Sequence, residues 1–366
     1  MRVLGYMSGT SLDGVDAAIL ETDGVGIGGF GPTAFAPYTP DERAALTRAT
    51  EDVIRADSAM PRPDSFPAAE RVILDVHVRA AREVQRDPTA GKIELVGFHG
   101  QTVLHRPQRR LSIQLGDPRA LSAALGLVVV ADLRQSDLAA GGQGAPLLPV
   151  YHAALADWIG AERPVAFLNI GGVANISWLG RGGRVIAFDT GPGNGLIDLM
   201  VQARGIGRYD DGGWLAAAGR VHTNVLARLL DHPYFARSAP KTLDRYDFGL
   251  DEVAGVSAAD AAATLTAFTV AAIVRACDHV PELPQRWIVC GGGRHNPVMM
   301  AMLRASLGIV ESSDTLGLRG DFIEAEGFAY LAARSVLGLP ITFPETTGVA
   351  VPMTGGARYG VPGAIA

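Results

Sequence analysis

Short apolar runs that stop abruptly at glycine turns recur along this chain and restrict what it can fold into. Residues 2–7 run into Ser8-Gly9-Thr10-Ser11, and residues 165–170 into Gly171-Gly172. Residues 185–188 run into Asp189-Thr190-Gly191-Pro192-Gly193-Asn194-Gly195, and 287–290 into Gly291-Gly292-Gly293. Strands that empty into glycine loops, with helices between them, belong to an α/β layer architecture. Apolar spacing predicts helices over 41–55, 68–86, 119–125, 196–204, 258–277, 297–307 and 324–337, and further strands over 15–20, 93–98, 112–115, 127–131 and 176–179. The order strand, strand, strand, helix occurs in both halves. It predicts two α/β lobes, with a ligand in the cleft between them. A length of 366 residues agrees with two domains. The expected division is 1–135 with the tail 345–366 for the first lobe, and 136–344 for the second.

Composition removes several classes of function. A net charge of −6 argues against a nucleic-acid partner, since neutralising phosphates takes clustered Lys and Arg. Cys277 and Cys290 are the only cysteines, with no CxxC spacing, so neither a zinc site nor a disulfide framework is expected. The N-terminus lacks the apolar stretch of a signal peptide, and no run of eighteen apolar residues is seen. The expectation is a cytoplasmic protein with no membrane partner.

Three turns carry candidate chemistry. The first, Gly9-Thr10-Ser11-Leu12-Asp13-Gly14-Val15-Asp16, is a hairpin whose backbone N–H groups and hydroxyls suit phosphate oxygens. Asp13 and Asp16 would repel bare phosphate but are sensible ligands for an intervening Mg²⁺. In the second, Asp189 closes a strand ahead of a glycine loop and a helix. A carboxylate so placed can take a proton from a nucleophile, while the loop and helix start hold phosphate. The third, Gly291-Gly292-Gly293, removes every side chain and lets a flat ring approach the backbone. Neither GxGxxG nor the Walker A pattern is present.

These motifs give the resemblance. Residues 7–16, His99-Gly100-Gln101-Thr102, Ala131-Asp132-Leu133-Arg134 and the 141–146 loop resemble the anhydro-N-acetylmuramic acid kinase family. So do Asn169-Ile170-Gly171-Gly172-x-Ala174-Asn175, residues 188–194 and Asp321-Phe322-Ile323-Glu324-Ala325-Glu326. The match extends from Met7 to the Thr354-Gly355-Gly356 tail. It implies the two-lobed actin-like sugar-kinase (ribonuclease H-like) fold. It also implies a reaction in which 1,6-anhydro-N-acetylmuramic acid, ATP and water give N-acetylmuramic acid 6-phosphate and ADP during cell-wall recycling. Residues 9–16, Gly171, Gly172, Asn175, Gly191, Gly193, Asn194 and Gly291, Gly292 and Gly293 would bind ATP, with Mg²⁺ as cofactor. Asp189 would activate the water, and a homodimer is implied by the family alone. His99, Gln101, Thr102, Arg134 and Glu326 are the candidates for the sugar, Arg134 because a guanidinium matches a carboxylate bidentately.

Two other readings compete. In an ordinary sugar kinase of the same superfamily, Asp189 would deprotonate a substrate hydroxyl and water would take no part. In a non-catalytic ATP-binding switch, no turnover would be seen. A loop across the cleft is expected at 241–248, and an acidic turn at Asp210-Asp211-Gly212-Gly213.

Overall fold

The computed structural model describes residues 1–56, 62–243 and 247–360. Contacts divide the chain into one unit of Met1–Trp158 with Phe322–Ala366, and a second of Ile159–Asp321. These boundaries differ from the expected 135/136 and 344/345, and packing explains why. The Ile323–Val336 helix lies on the sheet of the first unit. The Pro149–Trp158 helix, not anticipated from the sequence, joins it there through a Tyr151–Glu326 hydrogen bond.

The first unit contains β1 (Arg2–Ser8), β2 (Gly14–Thr22), β3 (Ile27–Pro37), β4 (Leu95–Arg106), β5 (Leu111–Leu115) and β6 (Val129–Ala131). β1, β2 and β3 form an antiparallel meander. β4 adds to β1 in parallel and β6 adds to β4 in parallel. β5 pairs with the outer half of β4, and the short strand Ala357–Tyr359 closes the far edge on β6. The Pro40–Arg55 helix starts at a capping box, in which Thr39 and Glu42 satisfy each other's backbone N–H. The Phe66–Arg86 helix lays Ile73, Val76, Ala80 and Val84 into the core.

Ile323–Val336 packs so closely that glycine is obligatory beneath it. A Cβ on Gly5 of β1 would lie 1.9 Å from the Ala325 carbonyl oxygen. One on Gly97 of β4 would lie 2.2 Å from that of Phe328. Helix backbone therefore rests directly on strand backbone.

The second unit repeats the plan. β7 (Val165–Ile170), β8 (Val173–Leu179) and β9 (Val185–Pro192) form the meander, and β10 (Arg286–Cys290) and β11 (Val310–Ser312) extend it in parallel beyond β7. The order β11-β10-β7-β8-β9 matches β6-β4-β1-β2-β3 in the first unit. The two units thus share one topology, as the recurring strand order predicted.

The Ala258–His279 segment contains the helix expected over 258–277. At 22 residues with mean hydropathy 1.4, it is long and apolar enough to cross a membrane by length and composition. It is a core element instead. Two thirds of that window is buried, and Leu265, Phe268 and Ile273 share a core with Ile176 and Phe188 of the sheet. Both cysteines are free thiols.

Substituting Gly5→Ala tests the backbone contact. Because neither the helix carbonyl nor the strand is a flexible side chain that can give way, the expected loss of unfolding free energy is about 3 kcal/mol, at the upper end of overpacking costs. Urea denaturation measures it. A loss within experimental error would contradict this backbone contact.

Candidate active site

The N-terminal hairpin is built from the inside outward. Leu12 takes φ +53° at the turn, and its N–H donates to the Gly9 carbonyl at 3.3 Å. Beneath the turn, the buried Ser8 hydroxyl donates to Gln101 Oε1 at 2.5 Å and therefore accepts from the Tyr38 hydroxyl at 2.8 Å. Gln101 Nε2 then donates to the Gly9 carbonyl at 3.1 Å. Gln101 is fully buried, so it braces the turn rather than presenting itself to a sugar. Asp13 is exposed and accepts from the Ser11 hydroxyl at 2.8 Å, while Asp16 is half-buried on β2. Among the described residues, no group of three His, Cys, Asp or Glu is gathered for a metal. Asp13 and Asp16 still suit Mg²⁺, which commonly takes one or two carboxylates and fills the rest of its shell with water and phosphate.

His99-Gly100-Gln101-Thr102 does not end a strand, as expected, but lies inside β4. Tyr6 pairs with Phe98 and Ser8 with Gln101, so two steps on β1 span three on β4. The extra residue makes a bulge, with Gly100 at φ +73°. The bulge sends neighbouring side chains to different tasks. His99 turns to Arg134, whose Nη2 donates to His99 Nε2 at 2.9 Å, while His99 Nδ1 donates to the Gly100 carbonyl at 2.8 Å. Those two bonds fix the neutral Nδ1–H tautomer, and burial, then the Arg134 charge, holds the imidazole well below its usual pKa. Arg134 Nη1 donates to the Gly144 carbonyl at 2.6 Å. The 141–146 loop is anchored from behind by buried Asp137, which accepts from Gly144 N and from the Thr347 hydroxyl. Thr102 accepts from Gln114 at 3.2 Å. Glu326 lies in the first turn of Ile323–Val336, is fully buried and accepts from Tyr151 at 2.6 Å. Phe328, two residues on, stacks against His99 at 4.4 Å. His99 and Arg134 are thus brought together, while Gln101 and Glu326 are turned inward.

In the second unit Asp189 lies within β9, not at its end. Asn175 pairs with Asp189 and Ala174 with Gly191, so β9 carries one extra residue, and Asp189 stands beside a second bulge. The residue is 9% exposed. Its Oδ2 accepts from the Leu243 N–H at 2.8 Å, so the carboxylate is buried yet hydrogen-bonded. Residues 244–246 of the expected 241–248 loop lie outside the described residues.

The glycine turns of this unit meet around Asn194. Asn194 N donates to the Gly171 carbonyl at 2.7 Å, and Gly193 N and Gly195 N donate to that of Gly172. Asn194 Nδ2 reaches the Ile170 carbonyl at 3.2 Å. Gly291 and Gly293 pack on Asn169 and Ile170, and a Cβ on Gly292 would stand 3.6 Å from Asn194 Nδ2. Behind them the buried Arg294 bonds the Gly291 carbonyl, Asp314 and Asp321. Sequence reasoning passed over Arg294, since an Arg after a glycine run carries no spacing signal.

The glycines fall into two groups. Gly193, Gly291 and Gly293 are required by the fold, because a Cβ on each would strike protein within 2.4 Å. Gly9, Gly171 and Gly292 have no such neighbour: nothing lies within 3.5 Å of a Cβ on Gly9, or within 3.6 Å on the other two. Neither a crowded Cβ position nor a positive φ accounts for glycine at those three positions.

The sequence matches the model of the family described as "Anhydro-N-acetylmuramic acid kinase" over residues 1–361. A curated anhydro-N-acetylmuramic acid kinase from Caulobacter vibrioides is 52% identical over 99% of both chains. One from Phenylobacterium zucineum is 50% identical over 97% of this chain and 98% of its own. One from Rhizorhabdus wittichii is 51% identical over 98% and 99%. A solved ROK family glucokinase from Streptomyces griseus aligns over 91% of this chain and 100% of its own with a TM-score of 0.42 and 14% identity, too distant to carry an argument.

Buried histidines make the first unit sensitive to acid. Burial lowers His77 to about 4, His152 to about 3 and, with Arg134 adding to it, His105 to about 4; His99 is lowered too. Each lies below its unfolded value near 6.5, so the unfolded chain binds more protons. Stability is complete above that value and falls as pH drops below it, by roughly 1 kcal/mol per histidine per pH unit. In the second unit Asp198, raised to about 7 by burial and then by Asp210, works in the opposite direction, but as one group against four. Urea unfolding at pH 7.5, 6 and 5 should lose several kcal/mol across the series. A flat profile would contradict neutral buried imidazoles.

Proposed function

The chain belongs to the anhydro-N-acetylmuramic acid kinase family, and on that premise we propose a division of labour among its residues. The protein is a kinase, and its reaction opens 1,6-anhydro-N-acetylmuramic acid with water while phosphorylating O6 from ATP. The observation that supports this most directly is Asp189, a hydrogen-bonded carboxylate at a strand bulge in the same unit as the converging glycine turns.

Asp189 takes a proton from water as the water oxygen bonds to C1 of the sugar. Water is a poor nucleophile, and a carboxylate within hydrogen-bond reach supplies what it lacks. The C1–O6 bond breaks, and its electron pair stays on O6. O6 then attacks the γ-phosphorus, and ADP leaves with the electrons of the broken phosphoanhydride bond. Alignment and charge stabilisation carry most of that second step.

The open backbone at Gly171 and Gly292 receives the nucleotide, with Asn175, Gly191 and Asn194 shaping its surroundings. Gly9, Thr10 and Ser11 grip phosphate oxygens, and Asp13 and Asp16 would hold Mg²⁺, which supplies charge neutralisation for the phosphates when bound. His99 and Arg134 act on the sugar side as a fixed pair, with Thr102 beside them. Gln101 and Glu326 serve from within, by holding the turn and the helix. A cytoplasmic location and a homodimer belong to the same proposal.

Two measurements test it. Asp189→Asn should bind ATP normally and lose turnover by about 10³-fold, in the range of a general-base contribution. With ¹⁸O-water, label should appear at C1 of the product; unlabelled product would favour the ordinary sugar-kinase reading. Separately, Gly9→Ala, Gly171→Ala and Gly292→Ala should each leave the melting temperature within about 2 °C while weakening ATP binding about tenfold or more. Unchanged ATP affinity in all three would remove the ligand explanation for those glycines.

A further inference from the structure

β9 is an edge strand, so one side of its backbone has no neighbouring strand to bond. At Asp189 that side is satisfied by groups distant in sequence. Asp189 N donates to the Lys241 carbonyl at 2.9 Å, and the Tyr234 hydroxyl donates to the Asp189 carbonyl at 2.5 Å. One residue beyond Thr242, Leu243 N donates to the Asp189 carboxylate. The segment 241–243 therefore lies across Asp189 as a strap. Tyr234 is fully buried in the Pro233–Ala236 turn, and burial and then the nearby Asp189 charge raise its hydroxyl pKa, so it stays a donor. Lys241, itself 6% exposed, holds strap to turn: its Nζ lies 4.8 Å from the centre of the Tyr234 ring, 3.5 Å from the Tyr234 carbonyl and 3.4 Å from His279 Nε2.

We propose that Tyr234, with Lys241 behind it, is a positioning residue for Asp189, fixing the backbone on both sides of the contact through which the Leu243 amide aims the carboxylate. The inference rests on the reading of Asp189 as the base. A bulge frees local backbone from the regular ladder, and with it the direction of the side chain. Without an external tie the carboxylate would sample several directions, and small misplacements are costly when a proton must move at the moment of attack.

The experiment is Tyr234→Phe, which keeps the ring and deletes the bond. Expected are a kcat lower by roughly tenfold to a hundredfold, KM values for sugar and ATP within about twofold, and unchanged nucleotide binding. Lys241→Met should change kcat in the same direction by less. The decisive comparison is made in the Asp189→Asn background by single-turnover measurement. A residue acting through Asp189 has nothing left to act on, so Tyr234→Phe should lower the residual rate no further. A wild-type kcat in Tyr234→Phe overturns the proposal, as does an equal loss with and without Asp189. If Tyr234→Phe does not fold, Lys241→Met in both backgrounds gives the same two readings. Inactive Asp189→Asn beside normal Tyr234→Phe would overturn the positioning role alone. Active Asp189→Asn would overturn the base and this inference together.

Discussion

Contact between backbones, possible only where side chains are absent, organises both units. In the first, Ile323–Val336 rests on Gly5 and Gly97, and that seating brings Phe328 against His99 and buries Glu326 beneath Tyr151. In the second, Gly291 rests on the Ile170 carbonyl and Gly193 on that of Gly171, while Gly293 packs on the Ile170 side chain, which draws three turns together. Larger residues at these points would separate the layers by more than the reach of the hydrogen bonds that define each turn. Glycine's cost in conformational entropy is offset here by geometry no other residue permits.

The two bulges do a second job. Each interrupts a strand that would otherwise alternate its side chains strictly between faces. At β4 the interruption separates His99, which goes to Arg134, from Gln101, which goes to the hairpin. At β9 it lets Asp189 meet an amide from outside the sheet. Regular strands carry the cores, and irregular positions on the same strands carry the chemistry.

Much of this was legible in the sequence. Strand–turn junctions at Gly9, Gly171 and Gly291 announced themselves by composition, as did the helices that pack on them, because apolar periodicity and glycine are local signals. The bulges were not legible: Asp189 read as a strand end because Gly191 and Pro192 look like the start of a loop, yet pairing continues through them. The roles of Gln101 and Glu326 were also hidden, since a polar residue bracing a turn and one facing a ligand have the same one-letter code. Tyr234 and Lys241 lie about fifty residues from Asp189, and nothing local links them. The Ala258–His279 helix was legible as a long apolar helix. Its composition suits a membrane as well as a core, and only its packing against Phe188 and Ile176 decides between them.

The first unit is discontinuous, because residues 159–321 interrupt it before Ile323–Val336 arrives. Chains emerge from the ribosome N-terminus first, and domains tend to fold as they appear. The sheet carrying Gly5 and Gly97 is synthesised long before the helix that covers it, so a nascent chain holds one apolar face uncovered while the whole inserted unit is being made. The inserted unit, being continuous, has all its elements available first. Translation therefore sets the order of assembly: the domain begun first is the one completed last, and a chain truncated before residue 323 would have a finished second unit attached to a first that cannot close.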